Sequence, residues 1–147
     1  MRAAPSAQAR ALLDSSVILA SLDPDEPAHD ACADLVAQGE HNVYVHALAE
    51  TFSILTGGQR ARRVDAGAAV ELLEASVLPY VQTISLTGKD VMAALGDARA
   101  RGVRGGAVYD YLHLVAARKA GVARLVTLDL RHFQALARPG DPRVEEP

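Results

Sequence analysis

Asp14 and Asp129 each close a short apolar run, Ala11-Leu12-Leu13-Asp14 in one place and Leu125-Val126-Thr127-Leu128-Asp129 in the other. Both runs read as strands. In an alternating α/β protein, ligands gather beyond the carboxyl ends of parallel strands, so two acids far apart in sequence would meet at one edge of one sheet. Carboxylates with no companion set of His and Cys ligands suit hard cations such as Mg²⁺ or Mn²⁺. Glu50 and Asp110 are two further candidates for the same cleft. Four carboxylates brought together would raise one another's pKa unless a cation offset them. A divalent ion there would lower the pKa of a coordinated water and stabilise a pentacoordinate phosphate, which is the chemistry of phosphodiester hydrolysis. In that arrangement Asp14, Asp110 and Asp129 are the metal ligands, directly or through water. Glu50 orients or deprotonates the attacking water, or completes a second metal shell. Ser16 and Thr127, each two residues from a strand-end acid, are placed to orient carboxylates.

Each acid also has a structural reading. Asp14 could cap the turn that begins at Ser15-Ser16. Glu50 could be an exposed first-turn acid favoured by a helix dipole. Asp110 lies near a helix start, where N-capping is the ordinary role, and Asp129 could cap a short helix at Arg131-His132-Phe133. Location argues for the functional reading, because the structural roles have no reason to coincide at one edge.

The elements that must position these residues alternate. Strand-like runs at 11–14, 42–45, 80–84 and 124–128 are separated by helical patterns, which predicts a mostly parallel sheet. Helices are expected over 25–38, 46–56, 64–77, from a cap at Thr87 to Arg101, and over 108–120, with a short last strand near Val144. Residues 1–9 read as a loose tail and 10–147 as one domain with a helical excursion at about 57–79.

With 147 residues the chain can bury a core without disulfides. Cys32 is its one cysteine, which suits a reducing cytosol and a cytoplasmic location. No apolar stretch approaches the roughly 20 residues needed to span a bilayer, so no membrane partner is expected. The formal charge of -3 opposes phosphate binding, yet setting the four acids aside leaves the remainder slightly positive. A nucleic-acid face would therefore be a local patch. Arg99, Arg101 and Arg104, on the approach to Asp110, are the better candidates for it. Arg60, Arg62 and Arg63 form a second basic turn of open role. His29, His41, His46 and His132 lack metal-ligand spacing and read as surface or loop residues.

Taken together, four segments carry a resemblance. They are Leu13-Asp14-Ser15-Ser16-Val17-Ile18-Leu19, Ala49-Glu50-Thr51-Phe52, Tyr109-Asp110-Tyr111-Leu112-His113-Leu114 and Leu125-Val126-Thr127-Leu128-Asp129. In this order the chain resembles PIN-domain ribonucleases, specifically toxins of the VapC type, from residue 11 to 133. The resemblance implies a PIN-like three-layer α/β/α sandwich and a Mg²⁺-dependent endoribonuclease that leaves 5′-phosphate and 3′-hydroxyl ends. It also implies a VapB-like antitoxin whose tail occupies the cleft, and homodimers that assemble further with it. His113 stands where relatives often carry another residue, so its part in the site is open. Two alternatives remain: a PIN nuclease of RNA processing without an antitoxin, and a receiver-like α/β signalling module. The receiver needs a Lys after a late strand, where this chain has Asp129 and Arg131.

Overall fold

The structure, a computed structural model, describes residues 9–58 and 62–147. Five strands, β1 (Ala11–Leu13), β2 (Asn42–Tyr44), β3 (Gln82–Ile84), β4 (Arg124–Val126) and β5 (Arg143–Glu145), form one sheet in the order β3-β2-β1-β4-β5. Every pairing is parallel. The central strand β1 sets Leu13 opposite Val43 on one side and opposite Val126 on the other. From β1 the chain winds outward through β2 and β3, then returns to β4 on the far side. The reversal leaves a crevice at the carboxyl ends of β1 and β4.

Side chains of β1 alternate between two apolar layers, as the pleat requires. Ala11 and Leu13 join the core beneath α1 (Ser15–Leu22), α2 (His29–Ala37), α3 (Val45–Thr56) and α4 (Ala66–Ser76). Leu12 and Leu125 face the opposite core, which is closed by α5 (Gly88–Ala98), α6 (Ala107–Ala120) and α7 (Leu130–Leu136). The result is the expected three-layer sandwich, with a sheet parallel throughout.

Sequence periodicity missed α1. A turn was expected at Ser15-Ser16, because Ser, Val and Ile are indifferent helix formers. Burial of Val17, Ile18 and Ala20 overrides that preference, and Asp14 caps the helix through the Ser15 N–H at 2.7 Å. The second helix starts at His29 instead of near Asp25, since Pro27 disfavours helical backbone at Glu26. The helix after Thr87 stops at Ala98, short of Arg101, but its cap is as expected: Thr87 and Asp90 form a reciprocal capping box. Helix α6 closes with Gly121 at φ +68°, where its N–H reaches the carbonyls of Ala117 and Arg118. The expectation of a loose tail at 1–9 falls almost wholly outside the described residues. So does Arg60, while Arg62 and Arg63 are exposed.

Two polar struts hold this frame. His41 lies in the loop before β2, as expected, but is buried: it accepts the Ala11 N–H at Nδ1 (3.1 Å) and donates from Nε2 to Gln38 Oε1 (2.7 Å). Arg101 pairs with Asp141 at 2.6 Å and lies over the Tyr111 ring at 5.2 Å, fastening the segment after α7 to α6. The RNA contact expected of Arg101 is therefore corrected, because its guanidinium is committed to the fold. Arg99 and Arg104 remain exposed.

Burial pushes the His41 pKa down from 6.5, with the Glu40 charge opposing and Arg124 reinforcing the shift. The unfolded chain then binds the proton more tightly, so this contribution to stability is lost as pH falls below about 6.5. Denaturant melts between about pH 7.5 and 5.5 should show a steeper loss for wild type than for His41→Gln. Equal slopes would contradict the assignment.

Candidate active site

Asp14 follows β1, and its backbone N–H continues the ladder to Val126 O at 3.0 Å. Its side chain is buried and surrounded by donors. Oδ1 accepts from the Ser15 N–H, and Oδ2 accepts from Ser16 Oγ and Thr127 Oγ1, both at 2.8 Å. These two hydroxyls also work in the other direction. Ser16 Oγ accepts the Leu128 N–H at 3.0 Å, and Thr127 Oγ1 accepts the Asp129 N–H at 2.9 Å. Ser16 and Thr127 thus lock the segment after β4 onto Asp14 and fix the start of α7.

Glu50 projects from the second turn of α3. Its Oε1 lies 2.8 Å from His113 Nε2, its Oε2 3.3 Å from Ser15 Oγ, and His46, one turn earlier, stands 3.8 Å away. Burial alone would raise the Glu50 pKa. The His113 hydrogen bond, the His113 and His46 charges and the Ser15 bond together hold it below the usual carboxylate range. Half-buried Asp110 behaves in the opposite way. Burial first and then the negative charge of Asp14 push its pKa up, His113 and His132 oppose the rise, and Glu50 adds the smallest upward push. Asp14, Glu50 and Asp110 therefore share one electrostatic field.

Asp129 is exposed and lines a separate cleft of about 410 Å³ with Leu128, Arg131, His132 and Glu146. It joins the other acids through its backbone bond to Thr127. Although Asp129 occupies the cap position of α7, its side chain makes no capping bond.

His113 and His46 were underrated by sequence. His113 is buried, with Tyr44 and Phe133 packed edge-on against its ring at 5.3 and 6.2 Å. Its Nε2 serves Glu50 and lies 3.9 Å from Asp14, while its buried Nδ1 has no partner among the described residues. One sequence signal for His46 was available: His46 and Glu50 are four apart on a helix and so share a face. No comparable local signal exists for His113, since α6 meets α3 only through the fold.

The family model for the PIN domain matches residues 11–139. The chain belongs to the PIN-domain family. Solved structures share this PIN fold at low identity. The VapC20 toxin of Mycobacterium tuberculosis, described as cleaving the sarcin-ricin loop, matches at 20% identity and TM-score 0.66, covering 89% of this chain and 98% of that one. VapBC2 of Rickettsia felis, bound to a fragment of its promoter DNA, matches at 15% identity and TM-score 0.65, with 93% and 98% covered. FitAcB of Neisseria gonorrhoeae matches at 18% identity and TM-score 0.61, covering 92% and 96%. No curated protein matches by sequence. Membership of the PIN family sets aside the receiver-like alternative. No helix among the described residues is long and apolar enough to cross a membrane.

PIN-domain nucleases generally use divalent metals, and the donor set here fits such an ion. The acids supply hard oxygen ligands, and among the described residues no Lys or Arg pairs with Asp14, Glu50 or Asp110. Burial raises the Asp110 pKa first, and the Asp14 charge adds to that rise. As placed, no three His, Cys, Asp or Glu side chains among the described residues close around one point as a ready-made metal cage.

A raised folded-state pKa means that Asp110 supports folding only at low pH. That support is lost as pH rises from its ordinary 3.8 through the folded value. At pH 7, low salt and in EDTA, Asp110→Asn should therefore melt at or above the wild-type temperature. A clear fall in melting temperature would contradict the convergent field and favour a structural role for the carboxylate.

Proposed function

We propose that this PIN domain is a Mg²⁺-dependent endoribonuclease toxin that hydrolyses RNA phosphodiester bonds and is inhibited by a VapB-like antitoxin. The observation that carries the reading is the convergence of Asp14, Glu50 and Asp110 at the sheet's reversal point, without a Lys or Arg among the described residues to balance them. Asp14 and Asp110, together with Asp129 from the neighbouring cleft, would hold the ion directly or through water. When bound, it would supply positive charge for the phosphate and acidify an attacking water. Asp14 is held for that task by Ser16 and Thr127, so its carboxylate need not reorganise when charge develops. Glu50 is the group that receives the water's proton. Its two oxygens are aimed by different partners, Oε1 by His113 and Oε2 by Ser15, and its depressed pKa keeps it in the accepting form.

Arg99, exposed at the carboxyl end of α5, and Arg104, exposed just before α6, would contact RNA phosphates flanking the cut. One structure that shares this fold is described as a toxin, and another is VapBC2 bound to promoter DNA, which supports a VapB-like partner here. A basic antitoxin side chain reaching the acids would supply, in the inhibited complex, the charge that the cation supplies in the active one.

The antitoxin-free protein should cut RNA in Mg²⁺ or Mn²⁺ and leave 5′-phosphate ends, and EDTA should stop it. Asp14→Asn should lower the rate by at least about a hundred-fold, the scale of losing one preorganised electrostatic group. Cleavage that persists in chelator, or 2′,3′-cyclic phosphate ends, would reject the mechanism.

A further inference from the structure

The rings of Tyr44, His46 and Tyr109 form a column that runs from the core to solvent. Tyr44 is buried at the end of β2 and tilts against His46 with centroids 6.0 Å apart. His46 stacks in turn on Tyr109 at 5.4 Å, the two planes only 14° from parallel. Tyr109, the last ring of the column, is 51% exposed. A free aromatic ring is most often core material displaced to the surface, but this one is held flat by a ring behind it. It also borders the acids. A cleft of about 390 Å³ is walled by His46, Ala49, Glu50, Ser53, Ile54 and Tyr109, and His46 lies 3.8 Å from Glu50.

The chemistry of that wall narrows the occupant. It carries no Lys or Arg, and Glu50 repels a phosphate. A flat uncharged ring that continues the stack is what fits, and every nucleobase offers such a face. Tyr109 immediately precedes Asp110, so a nucleotide whose phosphate lies at the acids has its neighbouring base within reach of this column.

Resting on the ribonuclease reading, we propose that the outer face of Tyr109, backed by His46 and flanked by Ile54, is a stacking subsite for an unpaired base beside the scissile phosphate. The toxin would thus select single-stranded or splayed positions in its RNA, without reading base identity at this point.

The chain contains no tryptophan, so Tyr109→Trp creates a unique fluorophore at the subsite. The antitoxin-free variant is mixed in stopped flow with a short single-stranded RNA, and with copies in which one nucleotide at a time is abasic. The intact RNA should quench the indole fluorescence of this variant ahead of cleavage, and one abasic position should weaken that quench about ten-fold or more. In steady state Tyr109→Ala should raise KM by about ten-fold or more and change kcat much less, with Tyr109→Phe recovering most of the loss. Equal quenching by intact and abasic RNAs, or an unchanged KM in Tyr109→Ala, would overturn the subsite. So would a Tyr109→Ala variant that binds RNA normally but loses affinity for the antitoxin, which would assign the face to a protein. If the wild type cuts no RNA in Mg²⁺, the nuclease reading fails by itself. The quench then still decides the subsite: a base-dependent signal upholds it, and none overturns it.

Discussion

Asp14 sits between the two central strands with donors on both carboxylate oxygens, and the rest of the site is arranged around the charge that it brings there. Hydrogen bonds from Ser15, Ser16 and Thr127 make the buried position tolerable, since a buried charge without partners costs several kcal/mol. The same bonds determine where β4 delivers the chain. Thr127 and Ser16 each accept a backbone N–H from the segment that follows, so the start of α7 is tied to the end of β1. Asp110 then feels Asp14 and Glu50 without a compensating Lys or Arg among the described residues.

The frame leaves the repulsion local. Apolar residues of β1 alternate into two cores, and the helices above and below stiffen the central strands. The Arg101–Asp141 pair and the His41 strut then anchor the carboxy-terminal segment and the amino-terminal edge of β1. These two contacts lie apart from the carboxyl ends of β1 and β4, where the hydrogen bonds of Asp14, Ser16 and Thr127 hold the site.

Much of this was legible in the sequence because strands buried on both faces read as continuous apolar runs followed by acids. Asp14, Ser16 and Thr127 were all found from their spacing to a strand end, and the structure joins them directly. Helix α1 was not legible. Its Ser-Ser-Val-Ile start has weak intrinsic preference, and only tertiary burial of Val17 and Ile18 makes it helical. His41, His113 and Arg101 were misjudged or left open for a related reason. Their partners, Ala11, Glu50 and Asp141, lie 30, 63 and 40 residues away, so no local pattern reveals the pairing. His46 differs, since its relation to Glu50 was within one helical turn.

The most direct test of the account is anomalous X-ray scattering from crystals of the antitoxin-free protein equilibrated with Mn²⁺. The account predicts a peak in the crevice beyond β1 and β4, within direct or water-mediated reach of Asp14 and Asp110 and beside Glu50, absent from Asp14→Asn crystals treated in the same way. No peak in that crevice at saturating Mn²⁺, with the three acids instead paired to basic side chains, would contradict it.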